Sequence, residues 1–246
     1  NSLGLPDIGL TTMSEVTQFA GNIAKVTSLP TIMDVDTGFG EVMNMVRTIQ
    51  EVEHAGVAGC HLEDQVNPKR CGHLNGKQLV TRDEMAKKVK AAVDSRNDDN
   101  FLVIARTDAR AVEGFDSAVD RAKAYVDAGA DMIFPEAIKT QEEFESFRKA
   151  VNVPLLANMT EFGKSRLLTK KELENLGYNL VIYPVTTQRL AMYGVEQGLK
   201  AIKETGSADA VLDIMQTRSR LYELLNYPAY NNYDDSLYNF ELTKEQ

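Results

Sequence analysis

Six short apolar runs limit what this chain can fold into. They are residues 31–36 (TIMDVD), 59–64 (GCHLED), 101–108 (FLVIARTD), 132–136 (MIFPE), 154–158 (PLLAN) and 180–184 (LVIYP). Each is apolar on both faces and rich in Val, Ile and Leu, the pattern of parallel strands covered by helices. The segments between them carry helical periodicity. In residues 116–128 the apolar positions are Ala118, Val119, Ala122, Tyr125 and Val126, spaced to line one helix face. Thr81 and Glu84 form a capping box for a helix with Met85, Val89, Ala92 and Val93 on one stripe. Three runs are entered through similar turns, HAGVAG, DAGAD and NLGYN, in which glycine supplies a left-handed helix cap.

Repeated helix–glycine–strand units without a Pro- or Ser-rich linker predict an α/β fold, either a (β/α)8 barrel or a doubly wound sheet. Six strands are two short of a barrel, and the opening NSLGLPD reads like the middle of a loop. The expectation is that two N-terminal βα units precede this segment. Residues 1–246 are read as one barrel domain, with a C-terminal helical segment from about 206 to 246.

Composition narrows the function. Thirty-six acids against 27 bases give a net charge of −9, and no basic cluster is dense enough to grip nucleic acid. No apolar run approaches the ~18–20 residues of a membrane span, and no signal-peptide pattern opens the chain. Two cysteines make no disulfide framework, which points to a reducing compartment, the cytoplasm.

Acids collect at the C-terminal ends of the expected strands: Asp34, Asp36, Glu63, Asp64, Asp108 and Glu136. In parallel α/β folds that rim carries the active site, although any one acid there could equally be a helix N-cap. Asp34 and Asp36 lie two apart on a strand, so both carboxylates leave one face. Hard oxygen donors in one space favour Mg²⁺ or Mn²⁺, and Glu63 could join directly or through water. Residues 69–73 (KRCGH) are the sharpest feature. Cys71 sits among Lys69, Arg70 and His73, and cationic neighbours make a thiol a better nucleophile or proton donor. Cys60, inside an apolar run, reads as a buried hydrophobe. Zinc held by Cys60, His61, Cys71 and His73 is disfavoured because adjacent strand residues face opposite sides. A Cys–His hydrolase lacks an oxyanion loop or an orienting partner. Arg106, Arg189 and Arg218 are forks suited to carboxylates. A divalent metal with arginines on one rim suits a small polycarboxylate or phosphate.

Taken in order, DVDTGFG, GCHLEDQVNPKRCGH, ARTDA, FPEA and NMTEFG resemble the isocitrate lyase and phosphoenolpyruvate mutase superfamily. The similarity runs from about Ser2 to the 216–227 stretch. It implies a (β/α)8 barrel and an Mg²⁺-dependent retro-Claisen cleavage. The methylisocitrate-cleaving branch is the nearest match, which implies a tricarboxylate substrate cut to pyruvate and succinate in propionate catabolism. By the same resemblance Asp34 and Asp36 are the metal site, with Glu63 in support. Cys71 is implied as the general acid, with Lys69 and His73 tuning it. Gly72, Arg106, Glu136, Asn158, Met159, Thr160, Arg189 and Arg218 match substrate-contacting positions. The family also has a Ser-Gly-Gly loop that is not in this sequence. The resemblance further implies a homotetramer that exchanges C-terminal helices, and the tyrosines at 222, 227, 230, 233 and 238 suit an interface. Isocitrate lyases are the alternative, but they usually carry KKCGH and an inserted helical region. From a different class, a non-catalytic carboxylate-binding barrel would not need Cys71 together with Asp34, Asp36 and Arg106.

Overall fold

The computed structural model describes residues 3–240. Six strands fall inside the six apolar runs: β1 (Ile32–Asp34), β2 (Gly59–Glu63), β3 (Leu102–Thr107), β4 (Met132–Pro135), β5 (Leu156–Asn158) and β6 (Leu180–Ile182). Helix α1 (Met13–Val26) precedes β1, and α2 (Val42–His54) and α3 (Arg82–Ser95) follow β1 and β2. After β3 come α4 (Ala109–Val112) and α5 (Phe115–Asp127), after β4 comes α6 (Gln141–Ala150), and after β5 comes α7 (Lys170–Asn175). Beyond β6 lie α8 (Thr186–Thr205), a short 3-10 turn, α9 (Arg218–Leu224) and α10 (Tyr227–Tyr238).

The local signals act where the sequence places them. Thr81 and Glu84 cap α3 reciprocally, and Met85, Val89 and Ala92 are buried. On α5, Ala118, Val119, Ala122 and Tyr125 are buried. The three turn glycines, Gly56, Gly129 and Gly177, have φ of 88, 103 and 81°, a region closed to most side chains. The first strand is shorter than its apolar run because Asp36, at φ 49°, turns the chain out of the extended region.

All strand pairing is parallel. The order is β1-β2-β3-β4 in one sheet and β5-β6 in the other, and an Ile133–Leu155 bridge links the two. Strand alternation sorts the side chains into two apolar clusters. Met33, Val35, Cys60, Leu62, Val103, Ala105, Ile133, Leu155 and Ala157 face the helices and join the larger cluster. Ile104, Met132, Phe134 and Leu156 form a second one, with Ile32, Leu102, Leu180 and Ile182 against it. An inner apolar layer and an outer helix-facing layer are the arrangement of a TIM-type barrel. The same alternation turns Asp34, His61, Glu63, Arg106 and Asn158 to the inner side, above the apolar layer.

Gly59 shows how tightly these strands pack. A Cβ there would lie 2.8 Å from both the Cβ and the carbonyl oxygen of Leu102. Neither can swing away, so Gly59→Ala should cost about 1–3 kcal/mol through overpacking. Urea unfolding with an unchanged slope and a lowered midpoint is the expected result.

The chain forms two compact units, Asn1–Thr186 and Thr187–Gln246. The first holds all six strands. In the second, α9, α10 and the length of α8 carry no buried residue. Among the described residues no helix is long and apolar enough to cross a membrane.

Candidate active site

The turn after β1 holds the first acids. Asp34 accepts a hydrogen bond from the Asp36 amide at 2.9 Å. The chain then passes through Asp36, Gly38, Phe39 and Gly40, all at positive φ. A Cβ at Gly38 would meet Met45 Sδ at 2.6 Å, and one at Gly40 would meet the Asn44 side chain at 2.5 Å. Glycine therefore answers both a conformational and a steric demand here. Buried Lys88 on α3 pins the turn by donating to the Thr37 and Gly40 carbonyls at 3.2 and 2.9 Å.

The two aspartates are not equivalent. Desolvation raises both carboxyls, but His61, Lys69 and Arg106 outweigh it at Asp34, which lies below the ordinary aspartate value. At Asp36 desolvation and the Asp34 charge prevail over Lys69, and its pKa is raised. His61, with Nδ1 3.6 Å from Asp34 and its ring edge-on to Phe134, is held toward its neutral form by burial.

Behind these acids lies a buried ionic chain. Arg106 Nη1 is 3.2 Å from Glu63, and its Nε is 3.0 Å from Asp108. The guanidinium also sits 5.1 Å from the Phe134 ring centroid, within cation–π range. Burial holds the Glu63 carboxyl well above the ordinary glutamate value despite Arg106. Asp108 is fixed in turn. Its amide donates to Asp64 at 2.9 Å, and Asp64 accepts from Tyr125 Oη at 2.8 Å.

The loop between β2 and α3 carries KRCGH over this rim. Its base is tied by reciprocal bonds between Gln65 and the Arg70 backbone and by a Gln65–Leu79 bridge. At its tip Gly72 lies flat on the site, where a Cβ would come within 2.5 Å of Arg106 Nη2 and of the Glu136 side chain. Cys71, half-buried, is its neighbour. His73 Nε2 is 2.8 Å from Glu136, and its Nδ1 accepts the Lys164 amide at 2.9 Å. An Nδ1 that accepts leaves the proton on Nε2, facing the carboxylate. Asn158 donates to Glu136 at 3.2 Å and accepts the Thr160 amide at 3.0 Å. A Cβ at Gly163 would lie 2.7 Å from His73, so the 159–164 loop packs directly on KRCGH.

The structure thus gathers Asp34, Asp36, Glu63, Gly72, Arg106, Glu136 and Asn158 at one rim, with Cys71 in the loop above. Met159 and Thr160 are buried beside them. Lys69 and His73, the neighbours of the thiol in sequence, make contacts of their own. Lys69 spends its ammonium on Asp7 at 2.5 Å and Asp36 at 2.6 Å, and His73 spends its ring on Glu136 and Lys164. Both tie the loop to the rim, the Lys69 ammonium because a buried charge must be paired with a nearby carboxylate and the His73 ring through its Nε2 edge at Glu136. Arg189 is on α8 and Arg218 opens α9, both in the second unit. Sequence reasoning missed Lys77, whose ammonium is 2.7 Å from Asp108. No local pattern marks it, since the contact exists only when the loop folds back.

No group of three His, Cys, Asp or Glu among the described residues is arranged to hold an ion unaided. Asp34 and Asp36 still fit a hard cation that keeps much of its shell as water and substrate oxygen, the habit of Mg²⁺. Glu63 Oε1, buried without a hydrogen-bond partner, is an oxygen such a shell could use.

Comparison with known proteins finds relatives in sequence and in fold. The phosphoenolpyruvate phosphomutase family model matches residues 1–203. A probable 2-methylisocitrate lyase of Corynebacterium glutamicum is 59% identical over 238 residues, 97% of this chain and 78% of that protein. Among solved structures, 2,3-dimethylmalate lyase, a member of the PEP mutase/isocitrate lyase superfamily, is 31% identical with a TM-score of 0.90, covering 99% of this chain and 83% of the other. Phosphonopyruvate hydrolase in complex with oxalate and Mg²⁺ is 30% identical with a TM-score of 0.84, over 95% and 82% of the two chains.

Proposed function

The chain belongs to the phosphoenolpyruvate phosphomutase family, and from that membership we propose that it is a carbon–carbon lyase cutting 2-methylisocitrate into pyruvate and succinate. The observation that carries the reading is Gly72, pressed against Arg106 and Glu136. That contact brings the thiol loop down on a rim of paired carboxylates and guanidinium. High identity to a probable 2-methylisocitrate lyase supports the methylated substrate over isocitrate.

The reaction needs the substrate hydroxyl to lose its proton, the adjacent C–C bond to break, and its electron pair to pass to the succinate half. A carbon of that half must then gain a proton. Arg106, immobilised by Asp108 and Glu63, offers a fixed guanidinium edge to a substrate carboxylate and to the enediolate charge. Cys71 delivers the proton from the loop. His73, Glu136 and Asn158 orient one another and place polar hydrogens at the rim. The loop excludes water from the carbanion. Mg²⁺, or Mn²⁺ in its place, would be held by Asp34 and Asp36 with Glu63 in support, and would polarise the developing carbonyl. Lys69 fixes Asp36 and the loop together.

Met159 and Thr160, with Arg189 and Arg218, complete the proposed substrate contacts. The proposed assembly is a cytoplasmic homotetramer that exchanges C-terminal helices, each subunit a single barrel over 1–246. The apolar side chains of α8 to α10 are exposed, as such an interface requires. Light scattering at micromolar concentration should show an oligomer.

A keto-acid assay tests the reaction. Chelator-sensitive pyruvate from 2-methylisocitrate, well above glyoxylate from isocitrate, is expected. Dominant glyoxylate would make it an isocitrate lyase, and no product from either would point to another superfamily lyase acting on a related polycarboxylate or to a non-catalytic carboxylate-binding barrel.

A further inference from the structure

Lys77 has no part in the chemistry above, yet its side chain is 1% exposed. It follows Gly76, whose φ of 83° turns the far limb of the loop back toward the rim. Its ammonium donates to the Gly72 carbonyl and to Asp108 Oδ1 at 2.7 Å. Asp108 also accepts from Arg106 Nε and Nη2 at 3.0 and 3.3 Å. One buried ammonium therefore joins the residue after the thiol to the carboxylate that aims the guanidinium. An ion pair serving only the fold would need Asp108 alone. The second bond, to a backbone carbonyl at the loop tip, ties the same ammonium to the loop. The loop base is held separately, by Gln65 and by Lys69 on Asp7 and Asp36, so the tip depends on Lys77, on the His73 contacts and on Lys164, which donates to Asn75 at 2.8 Å.

We propose that Lys77 is a positioning residue, a clasp holding Cys71 and Gly72 down over the site and keyed to the Asp108–Arg106 pair. Its effect on turnover rests on the reading above, whereas its effect on the loop does not. The test is alkylation by iodoacetamide, followed at each cysteine by mass spectrometry. Cys60 is fully buried and reports global opening, while Cys71 reports the loop. In Lys77→Met, Cys71 should react roughly 10- to 100-fold faster, the equivalent of losing one charge-assisted hydrogen bond, with Cys60 unchanged. On 2-methylisocitrate, kcat should fall with KM little altered. Lys90→Met, which removes an exposed pair with Asp94, should change neither. A Cys71 rate within about twofold of the parent, or Cys71 and Cys60 accelerating together, would overturn the clasp. Should Lys77→Met not fold, hydrogen exchange on the unaltered protein decides. The Leu74 amide, bonded to the Cys71 carbonyl, must be protected, and exchange at the earliest time point refutes the proposal. Alkylation and exchange need no turnover, so an inactive chain would sink the lyase reading and leave the clasp standing.

Discussion

Cys71→Ser should lower turnover by about 10²–10⁴-fold, the usual contribution of a positioned general acid. Mg²⁺ affinity and thermal stability should stay close to the parent's. Serine is nearly isosteric, so the loop keeps its contacts: Gly72 still rests on Arg106 and Glu136, and His73 still faces Glu136. Only proton supply changes, because a hydroxyl is a far weaker acid than a thiol. The loss should therefore fall on kcat, with KM almost unmoved. Direct metal titration separates this outcome from a collapsed site, since Asp34 ends β1 and Asp36 lies in the turn after it. Near-normal turnover would remove Cys71 from the chemistry and leave the loop as a water shield alone.

Much of this was legible in the sequence, for reasons that are local. A parallel strand covered on both faces must be apolar on both, so all six strands showed. The Thr81–Glu84 box and the turn glycines act within a few residues of themselves. The inward set followed from alternation once the strands were placed, which is why Glu63, Arg106, Glu136 and Asn158 meet at one rim. What failed to show was pairing. Lys69 and His73 were expected to act on the thiol because they are its sequence neighbours. In the fold the Lys69 ammonium and the His73 ring meet carboxylates 33 and 63 positions away, at Asp36 and Glu136. Lys77 was invisible for the same reason, because burial selects the partner and burial is decided by the whole loop. Asp34 and Asp36 do share one region, but the left-handed turn at Asp36 sets them in different environments that strand alternation could not foresee.

Arg106→Gln should damage both stability and activity, and the two losses have separate causes. Arg106 is 7% exposed and is the cation between Glu63 and Asp108. Removing one partner of a buried ionic cluster costs about 3–5 kcal/mol, because the charge left behind is uncompensated. The lower end is expected here, since Lys77 still pairs with Asp108 and Glu63 can protonate. Activity should fall by about 10²–10³ in kcat/KM, the scale of losing a preorganised donor to a developing anion. Arg106→Lys restores the charge without the fork, so it should recover more stability than activity. The pH dependence gives the sharper check. Burial raises the Asp108 and Glu136 carboxyls, but Arg106 leads the charges that outweigh it, and both lie below their ordinary values. A depressed carboxylate contributes stability above its unfolded value and loses it as pH falls through the folded one. The stability deficit of Arg106→Gln must therefore be greatest at neutral pH and narrow on acidification below about pH 4. Urea midpoints that differ by the same amount at both pH values would show that Arg106 acts through packing on Phe134 and not through its charge.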